Sequence, residues 1–207
     1  MKEKEYLARI DKIIDLSWQI FKEQFINGRI TITKEAPFQH HFANIIKTVG
    51  DLFCIKRNEL FFTDLETKCP NIKNKNKYFD ITCGFIINQK EIKASLELKF
   101  KTKLQGAQDF GRIDSYVDIE ALEQSLERGY ITGRFFMITD STAYINKSKK
   151  GVGTIFAMHK EHMSKPGIFQ SKVCKGRENV MIELKDTYKF DWEYLRNFYF
   201  LELKINK

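Results

Sequence analysis

Apolar residues recur at intervals of three and four over 3–26, where Tyr6, Ile10, Ile13, Ile14, Trp18, Ile20, Phe21 and Phe25 trace one stripe; the spacing predicts a helix. Asn27-Gly28 is a natural stop for it. Residues 29–33 read as a short extended piece or a loop. A second stripe of Phe38, Phe42, Ile45, Ile46 and Val49 predicts a helix over 35–49, with Pro37 in the first turn and Gly50 at the end. Leu60-Phe61-Phe62 suggests a short strand. The run 68–77, with Pro70 and alternating Asn and Lys, reads as a polar surface loop.

The period then changes to two. Phe79, Ile81, Cys83, Phe85 and Ile87 fall on one face of a strand, and Asp80, Thr82 and Gly84 on the other. After Asn88-Gln89, Ile92, Ala94, Leu96, Leu98 and Phe100 again share a face, opposite Glu91, Lys93, Ser95, Glu97 and Lys99. A two-residue turn at Asn88-Gln89 pairs Ile87 with Lys90 and, counted back along both arms, Asp80 with Glu97. Directly opposed Cβ atoms lie about 5 Å apart. Two carboxylates at that spacing suit a hard divalent cation, and Lys99 follows two residues on. A solvated charged face is the plain alternative, but Glu97 sits mid-strand between Leu96 and Leu98, where a stray charge is costly.

Beyond the hairpin, Tyr116, Ile119, Leu122 and Leu126 predict a helix over 114–128, ended by Gly129. Residues 134–139 read as a buried strand, 143–145 as a short one, and 180–184 and 198–205 as two more. Asp191 looks like the N-cap of a short helix over 192–197. No repeat or linker divides the chain, so residues 1–207 are expected to form a single domain of the α/β class.

Composition narrows the function. At 43% hydrophobic and 14% aromatic, the 207 residues can bury a core without disulfides, and four scattered cysteines fit a reduced, cytoplasmic protein. The charged start is no signal peptide, and no apolar run approaches a membrane span, so no membrane role is expected. A net charge of +8 favours a polyanionic partner. Much of the excess falls in 146–179, where Lys147, Lys149, Lys150, Lys172, Lys175 and Arg177 are candidates for DNA phosphates and Glu161 is nearly alone among acids. Gln105, Gln108 and Arg112, just past the second hairpin strand, are further candidates for phosphate contact; ordinary surface solvation is the competing reading of each. Asp114 and Asp118, one turn apart, have the spacing of a carboxylate pair, but solvated helix acids or, for Asp114, an N-cap is the plainer reading. His159, His162 and Cys174 lack a fourth ligand and the spacing of a zinc site.

Phe79-Asp80, sixteen residues, then Glu97-Leu98-Lys99 resembles the signature of the PD-(D/E)XK nuclease superfamily. Phenylalanine stands where the name has proline. The resemblance covers roughly 35–145 and implies a restriction-endonuclease-like core, a central mixed β-sheet flanked by helices, with 146–179 and the last strands as elaboration. It implies that Asp80 and Glu97 hold Mg²⁺, with Mn²⁺ as a substitute, and that Lys99 acts as base, water-positioning group or charge stabiliser. Glu35 becomes the candidate additional acid of the preceding helix; an acid at a helix N-terminus is also electrostatically favoured for its own sake. Gln39 and His40 are alternatives one turn on. The implied activity is restriction-type cleavage of double-stranded DNA, for which a homodimer is one arrangement that makes both cuts. A catalytically inactive DNA-binding module on the same fold and a repair or junction nuclease are the rivals.

Overall fold

The computed structural model describes residues 2–206. Helix α1 (Lys2–Ile26) and helix α2 (Glu35–Leu52) precede three long strands, β1 (Glu59–Ile72), β2 (Lys75–Ile87) and β3 (Lys90–Lys101). Helix α3 (Gln108–Ser125) and strand β4 (Tyr130–Thr139) follow, then the short helices α4 (Thr142–Ile145) and α5 (Val152–Ile155). The C-terminal part is made of β5 (His162–Met163), β6 (Gly167–Gln170), β7 (Met181–Leu184), β8 (Lys189–Phe190), β9 (Glu193–Leu195) and β10 (Phe198–Ile205). This is an α/β protein whose six-stranded sheet runs β1-β2-β3-β4-β10-β9, with β3 and β4 the parallel pair. Between β3 and β4 the chain crosses over through α3, as a parallel connection requires. Among the described residues no helix is long and apolar enough to cross a membrane.

Each face of the sheet carries its own core. On one, α1 and α2 cover Ile81, Cys83, Phe85, Ala94, Leu96, Leu98, Phe100, Phe136 and Phe200, with Trp18, Phe21, Phe38 and Phe42 filling the gap. On the other, α3 covers Phe135, Met137, Leu201 and Leu203. The helix is covered in turn by Phe156, Ile182, Leu184, Phe190 and Trp192, which places α3 between the sheet and the C-terminal ribbons. Buried carboxylates fasten that outer layer: Glu120 accepts the Glu183 N–H at 2.8 Å, and Glu123 accepts the Lys185 N–H at 2.9 Å and the Tyr188 hydroxyl at 2.7 Å.

The Asn88-Gln89 turn forms as its sequence predicts, with φ of 49° and 68°, and Ile87 pairs with Lys90. Positive φ at both positions is the geometry whose twist matches the flanking strands. Gly84 has a packing reason: a Cβ there would lie 2.1 Å from the Ile92 carbonyl oxygen.

Four expectations fail. Residues 68–77 are not a loop but the far end of a β1–β2 ribbon, closed by Lys73-Asn74 with φ of 48° and 60°. Cys69 and Ile72 pack from one face of the ribbon into the α3-side core, and the alternating Asn and Lys of 71–76 fall on its exposed positions. Residues 143–145 form a helical turn rather than a strand. The helix predicted from 114 starts at Gln108 instead. The segment 192–197 is no helix: β9 pairs with β10, Tyr194 stacks against Tyr199 with centroids 4.7 Å apart, and Arg196 takes φ of 47° at the turn.

Arg9 of α1 grips Glu59 at the start of β1 with two hydrogen bonds of 2.7 and 2.8 Å, and the Tyr6 hydroxyl adds a third at 2.6 Å. The Arg9 bonds hold the Glu59 carboxyl well below its ordinary range, at about 2. A depressed folded-state value contributes stability above the unfolded carboxylate pKa of about 4.3 and loses it as pH falls toward 2. Glu59→Gln is therefore expected to lower the melting temperature at neutral pH and to flatten its fall between about pH 5 and 2; a profile parallel to wild type would contradict this.

Candidate functional site

The β2–β3 ladder runs from Ile87↔Lys90 to Ile81↔Leu96 and stops there. At the next position the Asp80 carboxylate enters the gap, and its Oδ2 accepts the Leu98 N–H at 2.7 Å. On the other side of β2, Glu66 of β1 takes φ of 51°. A left-handed residue opposite Asp80 rolls the strand: Ile81 packs beneath α1 and α2, whereas Phe79 packs on the α3 side against Tyr130. Strict alternation would have kept Phe79 and Ile81 together. The roll carries Lys77 to the α3 side as well.

The polar face of β3 is covered by α3. Ser95 meets Ser125 at 2.8 Å, and Glu97 is only 2% exposed. The face of α3 that meets it is itself polar. Asp118, 5% exposed, projects from α3 to the same point, so it is not a solvated helix acid. Lys77 lies 2.9 Å from Glu97 and 2.7 Å from Asp118, and Lys99 lies 2.5 Å from Asp118. Asp80, Glu97, Asp118, Lys77 and Lys99 thus form one buried charge cluster on three elements.

Electrostatics separates the three acids. Burial, then the charge on Asp118, pushes Glu97 well above the usual carboxylate range. Burial raises Asp80 too, against the pull of Lys99 and the Leu98 N–H. For Asp118 burial acts upward, but Lys99 and Lys77 together outweigh it and hold the carboxyl low. Lys99 is driven up rather than down: burial opposes its charge, but Asp118 and Glu97 more than offset that.

Glu35 stands at the rim. Its carboxylate meets Lys101 at 2.9 Å with its side chain 42% exposed, and its charge adds to the upward pull on Lys99. Gln39, one turn on, reaches in further: its amide donates to the Asp80 carbonyl at 2.5 Å and to Glu66 at 3.0 Å. His40 is exposed.

The proposed DNA contacts divide. Lys147, Lys149, Lys150, Lys172 and Lys175 are all exposed. Arg177 is half-buried, 3.2 Å from Asp114 and over the Phe110 ring. Gln105 closes a capping box with Thr102, accepting its N–H at 3.0 Å, and Gln108 opens α3 half-buried. Arg112 is a correction to its expected surface role. At 2% exposure it lies under α4 and α5 and donates to the Ala143 and Phe156 carbonyls, a fixed structural use of its fork of donors.

Among the described residues no three His, Cys, Asp or Glu groups converge with metal-ligand geometry. The donor chemistry nevertheless fits a hard cation. All three acids offer oxygen, and Glu97 Oε1 and Asp118 Oδ2 are buried without a hydrogen bond of acceptable angle. Among the described residues their ion-pair partners are the Lys77 and Lys99 ammonium groups, and the Lys77 nitrogen stands between two carboxylates as a metal cation would.

No family model, curated protein or solved structure matches this chain.

Proposed function

We propose that this protein is a divalent-metal-dependent phosphodiesterase acting on DNA, an endodeoxyribonuclease of restriction type with a restriction-endonuclease-like core. The observation that carries the reading is the convergence of Asp80, Glu97 and Lys99 at the point where the β2–β3 ladder opens, within a buried cluster that no core requires. Buried ion pairs are weak evidence of a stability role, because apolar residues of like size usually do as well. Strained backbone beside them, at Glu66, also fits a site held for function.

Asp80 and Glu97 would hold Mg²⁺ or Mn²⁺, with Asp118 as a third oxygen donor. When bound, such an ion supplies charge stabilisation at a phosphate and lowers the pKa of water. The Leu98 N–H fixes the Asp80 carboxylate, and α3 excludes bulk water from Glu97. Lys99, kept protonated by its contact with Asp118, serves as a fixed positive charge toward the phosphate rather than as a base. The exposed lysines of 146–175 supply sequence-independent attraction to the duplex backbone. Gln39 positions Asp80 through its carbonyl.

Cleavage of supercoiled plasmid DNA with Mg²⁺ and none with chelator is the expected result; equal behaviour in both would sink the reading. A second reading, a DNA-binding module without catalysis, draws on the lysine contacts that already engage Glu97 and Asp118. It predicts duplex binding indifferent to divalent ions and no cleavage of any single- or double-stranded substrate.

A further inference from the structure

Lys77 is not needed to build the strand it lies on, yet it meets two buried carboxylates on different elements. Its side chain is 25% exposed and enters from the edge ribbon, whereas Glu97 and Asp118 are nearly sealed. Lys77 and Lys99 each meet one oxygen of Asp118, and Lys77 also lies against Glu97, whose charged form burial and the Asp118 charge disfavour. The ammonium lies 2.9 Å from Glu97 Oε1, but the angle makes no proper hydrogen bond. The contact is therefore coulombic rather than directional, the kind that a compact cation satisfies better. A lysine is a point charge on a flexible four-carbon stem, able to leave without moving the backbone. Lys77 also lies close to the Lys73-Asn74 turn, beyond the roll of β2 at Asp80, where the ribbon is an edge of the sheet.

We propose that Lys77 is a built-in counter-cation of the Asp80–Glu97–Asp118 cluster, which a divalent ion displaces on binding. The inference rests on the metal-dependent reading above and adds a competition to it. Without a metal the ammonium neutralises carboxylates that would otherwise be buried uncompensated. With a metal the lysine is released toward solvent, to which its side chain is already 25% exposed. The two roles make opposite demands. Removing Lys77 lowers stability in chelator and tightens metal binding.

The test is an Mn²⁺ binding titration of the full chain, wild type against Lys77→Met, with melting in chelator measured in parallel. Expected are a lower melting temperature and an affinity about tenfold or more tighter for the variant. A lower melting temperature with unchanged or weaker affinity marks an ordinary structural ion pair and overturns the proposal. Should Lys77→Met not fold, reductive methylation of wild type read by mass spectrometry replaces it. Lys77 is then expected to be protected in chelator and to react once Mn²⁺ is added; equal reactivity in both overturns the role. Unchanged Mn²⁺ affinity in a protein that cleaves DNA with Mg²⁺ removes the Lys77 role alone. No Mn²⁺ binding by either protein removes the phosphodiesterase reading with it.

Discussion

Glu97→Gln and Asp80→Asn are each expected to cut Mg²⁺-dependent plasmid cleavage sharply while the protein stays folded. Both changes keep size and remove the charge, so on the proposed reading what is lost is the oxygen anion that would grip the cation. Charge stabilisation by a metal is worth several kcal/mol, and each 1.36 kcal/mol is tenfold in rate, so a loss of roughly 10²–10⁴ is expected. Stability should move little or rise. Burial and the Asp118 charge already disfavour the charged form of Glu97, so a neutral amide of the same size costs little there. The measurement is the nicking rate at saturating Mg²⁺, beside a urea denaturation curve. A rate within tenfold of wild type in either variant would remove these residues from the chemistry. Unfolding in both would make them structural.

The second large effect concerns stability alone. Arg134 on β4 is fully buried beneath α1, where it meets Asp11 and Asp15 of the helix and Glu202 of β10, the Asp15 contact being 2.9 Å. Arg134→Met removes the one cation that these three acids share, apart from the Lys204 contact to Asp15 at 2.9 Å. Breaking a buried pair from one side costs about 3–5 kcal/mol. The acids here are 20–40% exposed and can partly rehydrate, which places the cost toward the lower end of that span. For a chain of this length about 3 kcal/mol corresponds to a fall of roughly 6–12 °C in melting temperature. Asp15→Asn, at 40% exposure, is expected to cost about 1 kcal/mol or less. Equal effects of the two changes would show that Arg134 contributes through its stem rather than its charge.

What the sequence conveyed, and what it concealed, follows from how far each signal reaches along the chain. The Asn88-Gln89 turn and the two alternating arms are local, and they set the register as far as Ile81↔Leu96; the expected Asp80–Glu97 pair lies one position beyond, where the ladder has ended and Asp80 instead takes the Leu98 N–H. The first two helices were equally plain from their stripes. The face reversal at Asp80 was not legible, because it depends on a left-handed Glu66 in another strand. Lys77 was missed for that reason and because its segment resembled a loop. Asp118 had a usable signal. Ser115, Asp118 and Ser125 recur on one side of α3, a small and polar stripe that matches the polar face of β3 rather than solvent. Arg112 had none, since the carbonyls it serves belong to α4 and the end of α5, both far along the chain. Segment 192–197 shows the limit for short elements, where pairing with β10 overrides the capping propensity of Asp191.

The most direct measurement is anomalous diffraction from crystals soaked in Mn²⁺. The account predicts one strong peak bound by carboxylate oxygens of Asp80 and Glu97, with the Lys77 side chain withdrawn from Glu97. A peak bound elsewhere, or no peak with Lys77 still between Glu97 and Asp118, would contradict it.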